Sequence, residues 1–130
     1  LRCVNRQTGS STRMQFDALL RHAGMNPQDV AGYENEVESQ LVVAAAVLTG
    51  RADCGPGVAA AAKALGLDFV PLAAERWDLA VPVAFREDPR VLSVESLLQT
   101  PEFKKRLEGL GGYSTRLTGQ KLTLGVRLGA

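Results

Sequence analysis

The residues best equipped for chemistry are the run Thr8-Gly9-Ser10-Ser11-Thr12-Arg13, which packs four hydroxyls around one glycine. The run joins an apolar pair, Cys3-Val4, to Met14, Phe16, Leu19, Leu20 and Ala23, whose spacing is that of one helix face. A strand-to-helix turn of this kind aims unpaired N–H groups and the positive end of the helix dipole at whatever lies above it. An anion fits there. Gly9 lets the backbone approach closely, Ser10, Ser11 and Thr12 donate further hydrogen bonds, and Arg6 or Arg13 can add a full positive charge. The same residues also suit a well-capped helix with solvated serines. The run is not a P-loop, because it lacks the Gly-Lys-Ser/Thr ending. Nor is it a nucleophile elbow, since Arg13 stands where a second glycine is required.

The elements that position this run follow the same logic along the chain. Ser10 or Ser11 caps the first helix, Gly24 ends it in left-handed geometry, and Asn26-Pro27 breaks the chain. Residues 30–33 read as a short strand and residues 34–38, with three glutamates, as a solvated acidic loop. Ser39 caps a second helix, apolar almost all round and therefore expected to be deeply buried. Residues 52–55 suit a strand edge, Gly55-Pro56-Gly57 repeats the strand-to-helix turn, and residues 58–65 make a small alanine-rich helix. Residues 67–72 and 79–82 read as further strands. Strands alternating with helices predict an α/β fold, a three-layer arrangement with a mostly parallel sheet flanked by helices. In such a sheet ligands sit beyond the carboxyl ends of the strands, so three helix beginnings would face one crevice.

After residue 86 the pattern changes to two helices, Pro89–Gln99 and 101–107, with Thr100 capping the second and Pro101 at its first position. A tail follows, with weak alternation at Leu122, Leu124, Val126 and Leu128. The expected organisation is a ligand-binding α/β lobe over residues 1–82, with residues 83–130 packing on it or on another lobe.

Composition narrows the function classes. With 15 basic and 14 acidic residues among 130, the net charge is +1, and no general field holds a nucleic-acid backbone. The longest apolar run, residues 41–48, is far short of the roughly 20 residues of a spanning helix. Cys3, Cys54 and His22 are too few for a structural zinc site, and both cysteines are expected to be small buried hydrophobes. His22, near a helix end, has no nucleophile to serve, and Tyr33 and Trp77 read as packing residues. No catalytic residues are assigned, and the reading is non-enzymatic. The opening Leu1-Arg2-Cys3-Val4 has no initiating Met and no apolar leader, and strand character begins at once, as in the middle of a longer chain.

Several blocks in order carry a resemblance: Val4-Asn5-Arg6-Gln7-Thr8-Gly9-Ser10-Ser11-Thr12-Arg13, Val30-Ala31-Gly32-Tyr33-Glu34, Val43-Ala44-Ala45-Ala46-Val47, Gly50-Arg51-Ala52-Asp53 and Leu65-Gly66-Leu67-Asp68-Phe69-Val70-Pro71-Leu72. With Pro101-Glu102-Phe103 and Gly112-Tyr113 they resemble the substrate-binding domain of periplasmic molybdate/tungstate-binding-type proteins, over roughly residues 3–120. The resemblance implies one lobe of a type II periplasmic-binding-protein fold, with most of the N-terminal lobe lacking. It implies an oxyanion, molybdate or tungstate, held by Gly9, Ser10, Ser11 and Thr12, with Ser39 as a second contact; Arg6, taken from the residues themselves, completes the candidate set. No cofactor is implied. Implied partners are an ABC transporter permease or a fused regulatory or enzyme domain, and a homodimer through the exposed lobe face. A transporter component would be periplasmic or extracellular and a fused regulator cytoplasmic. The competing reading is a regulatory or scaffolding module of a molybdenum-cofactor biosynthesis protein, binding an organic ligand or a partner protein. Pro56 and the tail from Lys121 depart from the family pattern.

Overall fold

The structure is a computed structural model that describes residues 1–122. It divides into two compact units, Leu1–Ala73 and the segment from Ala74 onward. The first unit holds β1 (Asn5–Arg6), α1 (Ser11–His22), β2 (Glu36–Val37), α2 (Gln40–Leu48) and α3 (Ala59–Ala64). The second holds α4 (Pro89–Gln99) and α5 (Pro101–Leu110).

β1 and β2 pair in parallel, Asn5 opposite Glu36 and Arg6 opposite Val37. A parallel pair cannot be closed by a tight turn, and α1 supplies the crossover. On the other side of β1, Cys3 forms a parallel bridge with Cys54. The order of extended segments is therefore Cys54, β1, β2, with all of them running the same way.

The helix boundaries lie where side-chain chemistry puts them. Ser10 caps α1 by accepting from the Arg13 N–H, and Gly24, at φ +67°, turns the chain after it. Ser39 caps α2 through the Val42 N–H, and Thr100 caps α5 through the Phe103 N–H with Pro101 at the first position. α5 runs to Leu110, three residues beyond the expected end.

Elsewhere the structure corrects the sequence reading. Residues 30–33 are a hydrogen-bonded turn, and the strand forms instead in the acidic segment at Glu36–Val37. The turn still runs beside β1, because the Cys3 N–H donates to the Ala31 carbonyl at 2.7 Å. Residues 67–72 and 79–82 carry no strand pairing, so the sheet has two strands among the described residues. α2 buries one face only: Val43, Ala44 and Ala46 are buried, whereas Leu41 and Leu48 are about half exposed. Cys3 is buried as expected, but Cys54 is exposed. Leu122 is unpaired with any strand, and Leu124, Val126 and Leu128 lie outside the described residues.

The core of the first unit is small, built on Val4, Val43, Ala46 and Ala52 with Val37 and Val47 against it. Burying a valine side chain contributes about 2 kcal/mol, so polar contacts carry a large share of the fold. Asn5 is wholly buried. Its Oδ1 accepts from the Arg6 N–H at 2.9 Å, and its Nδ2 donates to the Tyr33 carbonyl at 3.2 Å, joining β1 to the turn before β2. Asn5→Ala leaves both partners unsatisfied and is expected to cost about 2 kcal/mol. Equilibrium urea unfolding checks this, and an unchanged midpoint would refute it.

The second unit has a separate set of contacts. Lys121 Nζ pairs with Glu95 at 2.7 Å, Gln99 Nε2 donates to the Gly119 carbonyl, and Thr115 bonds to Glu108.

Candidate functional site

The amides at the start of α1 are largely unspent. Ser10 N–H donates to the Gln7 carbonyl at 3.2 Å, but those of Gly9, Ser11 and Thr12 meet no acceptor among the described residues. Gly9 adopts φ +89°, a conformation that glycine reaches at no steric cost. Ser10 Oγ accepts the Arg13 N–H at 3.2 Å and keeps its own proton for donation. Ser11 is exposed at the first position of the helix.

Two further helix beginnings meet this one. Thr12 Oγ1 accepts from Nε2 of Gln40, the first residue of α2, at 2.8 Å. Ser39, immediately before it, spends its Oγ as acceptor on the Val42 N–H at 3.2 Å. The turn before α3 approaches the same glutamine, since a Cβ built on Gly57 would lie 3.6 Å from Gln40 Oε1. That oxygen is buried and has no partner among the described residues. The sequence did not single out Gln40. A polar residue directly after a capping serine, where helix propensity does not require it, was the only sign of it.

The two arginines differ in what surrounds them. Arg13 is buried, with Nη1 on Glu36 at 2.7 Å, Nε on Asp17 at 3.0 Å and its guanidinium over the Tyr33 ring at 4.2 Å. Burial opposes its charge, yet hydrogen bonds involving Tyr33, Glu36 and Asp17 outweigh burial and hold its pKa above the usual arginine value. Thr8 and Arg13 together hold the Glu36 carboxyl below its ordinary range. Arg13 is therefore neutralised and Thr8 Oγ1 is committed to Glu36 at 2.9 Å; Glu34, Glu36 and Glu38 are exposed, as expected of the acidic segment, but Glu36 is tied down rather than free. Arg6 is also buried, but its Nη2 donates to the Glu38 carbonyl at 3.0 Å and its Nε to Gln7 Oε1. No carboxylate among the described residues pairs with it. A buried cation held only by neutral acceptors, next to the cap of α2, retains its attraction for an anion.

The structure thus brings Arg6, Thr12, Ser39 and Gln40 to the carboxyl ends of the paired strands, with Gly9 and Ser10 on the adjoining loop and Ser11 at the first position of α1. Tyr33 is engaged with Asp17 through its hydroxyl at 2.8 Å, and Trp77 is exposed. A separate cleft of about 440 Å³ opens at the amino ends of the strands, lined by Cys3, Val4, Glu34, Asn35, Ala46 and Arg51 among others. With Glu34 and Glu36 on its wall, it is the less suitable place for an anion. Among the described residues no helix is long and apolar enough to cross a membrane, and no three His, Cys, Asp or Glu side chains gather as metal ligands.

Parallel strands with crossover helices, and helix beginnings gathered at their carboxyl ends, are the arrangement at which α/β domains take up ligands. Residues 1–99 match the PBP superfamily domain, and the chain belongs to this periplasmic-binding-protein-like family. It is 36% identical over 121 residues to the uncharacterized protein YvgK of Bacillus subtilis, covering 92% of this chain but 38% of that protein. It is 34% identical over 113 residues to an uncharacterized protein of Clostridium pasteurianum from the 5′ region of a 2Fe-2S ferredoxin gene, covering 83% of this chain and 96% of that one. The chain thus spans well under half the length of YvgK. No solved structure matches it.

Proposed function

We propose that the chain binds a small tetrahedral oxyanion, molybdate or tungstate, through Arg6, Gly9, Ser10, Ser11, Thr12 and Ser39, as one lobe of a solute-binding or sensor domain. The observation that supports this reading is the buried Arg6 guanidinium, which has no carboxylate partner among the described residues, on the strand that leads into a segment with three unspent amides.

In the complete protein a second lobe closes the cleft, and the sheet extends to the three-layer arrangement of a type II periplasmic-binding fold. Desolvating an oxyanion requires donors on all sides, so one lobe alone binds weakly. Closure around the anion then reports occupancy to a transporter permease or a fused domain. The role is binding, with no residue acting on the guest.

Calorimetric titration of the full natural protein with molybdate, tungstate and sulfate tests the proposal. Molybdate and tungstate are expected to give saturable heat. Arg6→Met weakens binding by at least about 10-fold, the worth of one charge-assisted hydrogen bond, and the exposed Ser11→Ala by a few-fold. Silence from all three anions with folded wild-type protein overturns it, as does unchanged affinity in both variants.

A further inference from the structure

Cys3 and Cys54 are the two cysteines of the chain, and both are free thiols. The fold places them directly opposite each other across a parallel bridge, 51 positions apart in sequence. The bridge is well made: Val4 N–H donates to the Cys54 carbonyl at 3.0 Å, and Cys54 N–H donates to the Arg2 carbonyl at 3.3 Å. Neighbouring strands lie about 5 Å apart, inside the Cα separation that a disulfide spans. Residues opposed in this way extend from the same face of the sheet. Cys3 Sγ donates to the Val4 carbonyl at 3.4 Å and Cys54 Sγ to the Arg2 carbonyl at 4.0 Å, so both thiols rest on the backbone around this bridge. One of the pair is buried and the other is exposed.

We propose that Cys3 and Cys54 form a reversible disulfide that fastens β1 to the segment entering α3, made and broken by exchange with a low-molecular-weight disulfide such as glutathione disulfide. The exposed Cys54 sulfur, deprotonated, attacks one sulfur of the glutathione disulfide and releases one glutathione thiolate, which takes up a proton. The Cys3 sulfur then loses its proton, attacks Cys54 Sγ and expels the second glutathione. Two protein thiols are oxidised, and one disulfide is reduced to two thiols. Burial pushes the Cys3 thiol up to about 11, which makes the second step slow at neutral pH. The bond ties the residues that lead into β1, the strand that ends at Arg6, to the segment before the Gly55-Pro56-Gly57 turn that approaches Gln40. The inference stands on the thiol geometry alone, whether or not an oxyanion binds.

The purified wild-type protein is equilibrated with glutathione disulfide, quenched with an alkylating agent under denaturing conditions and mapped by mass spectrometry. Loss of both alkylatable thiols, a linked peptide pair holding Cys3 and Cys54, and a higher unfolding midpoint that dithiothreitol reverses are expected. Cys3→Ala should trap glutathione on Cys54, whereas Cys54→Ala should leave Cys3 unmodified in the folded state. Two alkylated cysteines, a glutathione adduct persisting on wild-type Cys54, or an intermolecular disulfide through Cys54 would each overturn the proposal. The wild-type result decides the matter even where a variant fails to fold.

Discussion

Arg13→Met is expected to lower the unfolding free energy by about 3 kcal/mol, the low end of what breaking a buried ion pair costs. Its guanidinium is 7% exposed and serves four partners at once: Glu36 at 2.7 Å, Asp17 at 3.0 Å, the Arg6 carbonyl at 3.2 Å and the Tyr33 ring at 4.2 Å. Methionine fills much of the volume and satisfies none of the polar groups. The low end applies because the Asp17 and Glu36 side chains are 25% and 35% exposed, so water solvates part of what the arginine abandons. Lysine restores the charge but not the planar fork, and Arg13→Lys should recover less than half of the loss.

The same cluster sets an acid response. Hydrogen bonds from Thr8 and Arg13 lower the folded-state pKa of Glu36 from its ordinary 4.5. A carboxylate shifted down stabilises the fold above its unfolded pKa, and that contribution disappears as pH falls through the folded value. Wild-type stability should therefore drop below about pH 4.5, and the drop attributable to Glu36 should shrink in Arg13→Met. Urea midpoints at pH 7 and pH 3 for both proteins make the comparison. Equal acid losses would show that Glu36 is not titrating through this contact.

Gly32→Ala should be the most damaging single-methyl change in the first unit, at about 3–4 kcal/mol. Gly32 adopts φ +84°, and a Cβ there would overlap the Cys3 carbonyl oxygen. Left-handed geometry alone costs a residue with a side chain about 1–2 kcal/mol, and overpacking against fixed backbone adds about 1–3 kcal/mol. The overlap cannot be relieved cheaply. The turn is held by the Cys3 N–H on the Ala31 carbonyl at 2.7 Å and the Asn35 N–H on the Gly32 carbonyl at 2.9 Å. Gly9 supplies the control, since it has φ +89° but open space where a Cβ would go. Gly9→Ala should lose only the conformational part. Thermal unfolding of the two variants separates the explanations, and similar midpoints would remove the steric argument.

Local chemistry was legible from the residues alone. A cap at Ser10 or Ser11, and caps at Ser39 and Thr100, were expected because a hydroxyl just before an apolar-periodic stretch satisfies an amide that nothing else nearby reaches, and the structure uses Ser10, Ser39 and Thr100. Gly24 and Pro101 marked an end and a beginning for equally local reasons. The loop of residues 9–12 was likewise visible as a place of unspent donors, because the first turn of any helix leaves its amides free.

Partner choice was not legible. β2 is two residues long within a charged segment, and no periodicity announces a strand whose pairing is made by Asn5 and Arg6 thirty residues earlier. The spacing of the residues left Arg6 and Arg13 equivalent candidates for the anion's counter-charge. The fold separated them by carrying Glu36 and Asp17 to one and, among the described residues, only neutral acceptors to the other. In the same way it put Gln40 against Thr12 and Cys54 against Cys3. The sequence by itself determined where each helix starts and which donors it leaves over, since those follow from neighbours along the chain. Tertiary structure alone decided which charges are paired with carboxylates and which are not, because Coulomb and hydrogen-bond energies depend on separation in space and not on separation in the chain.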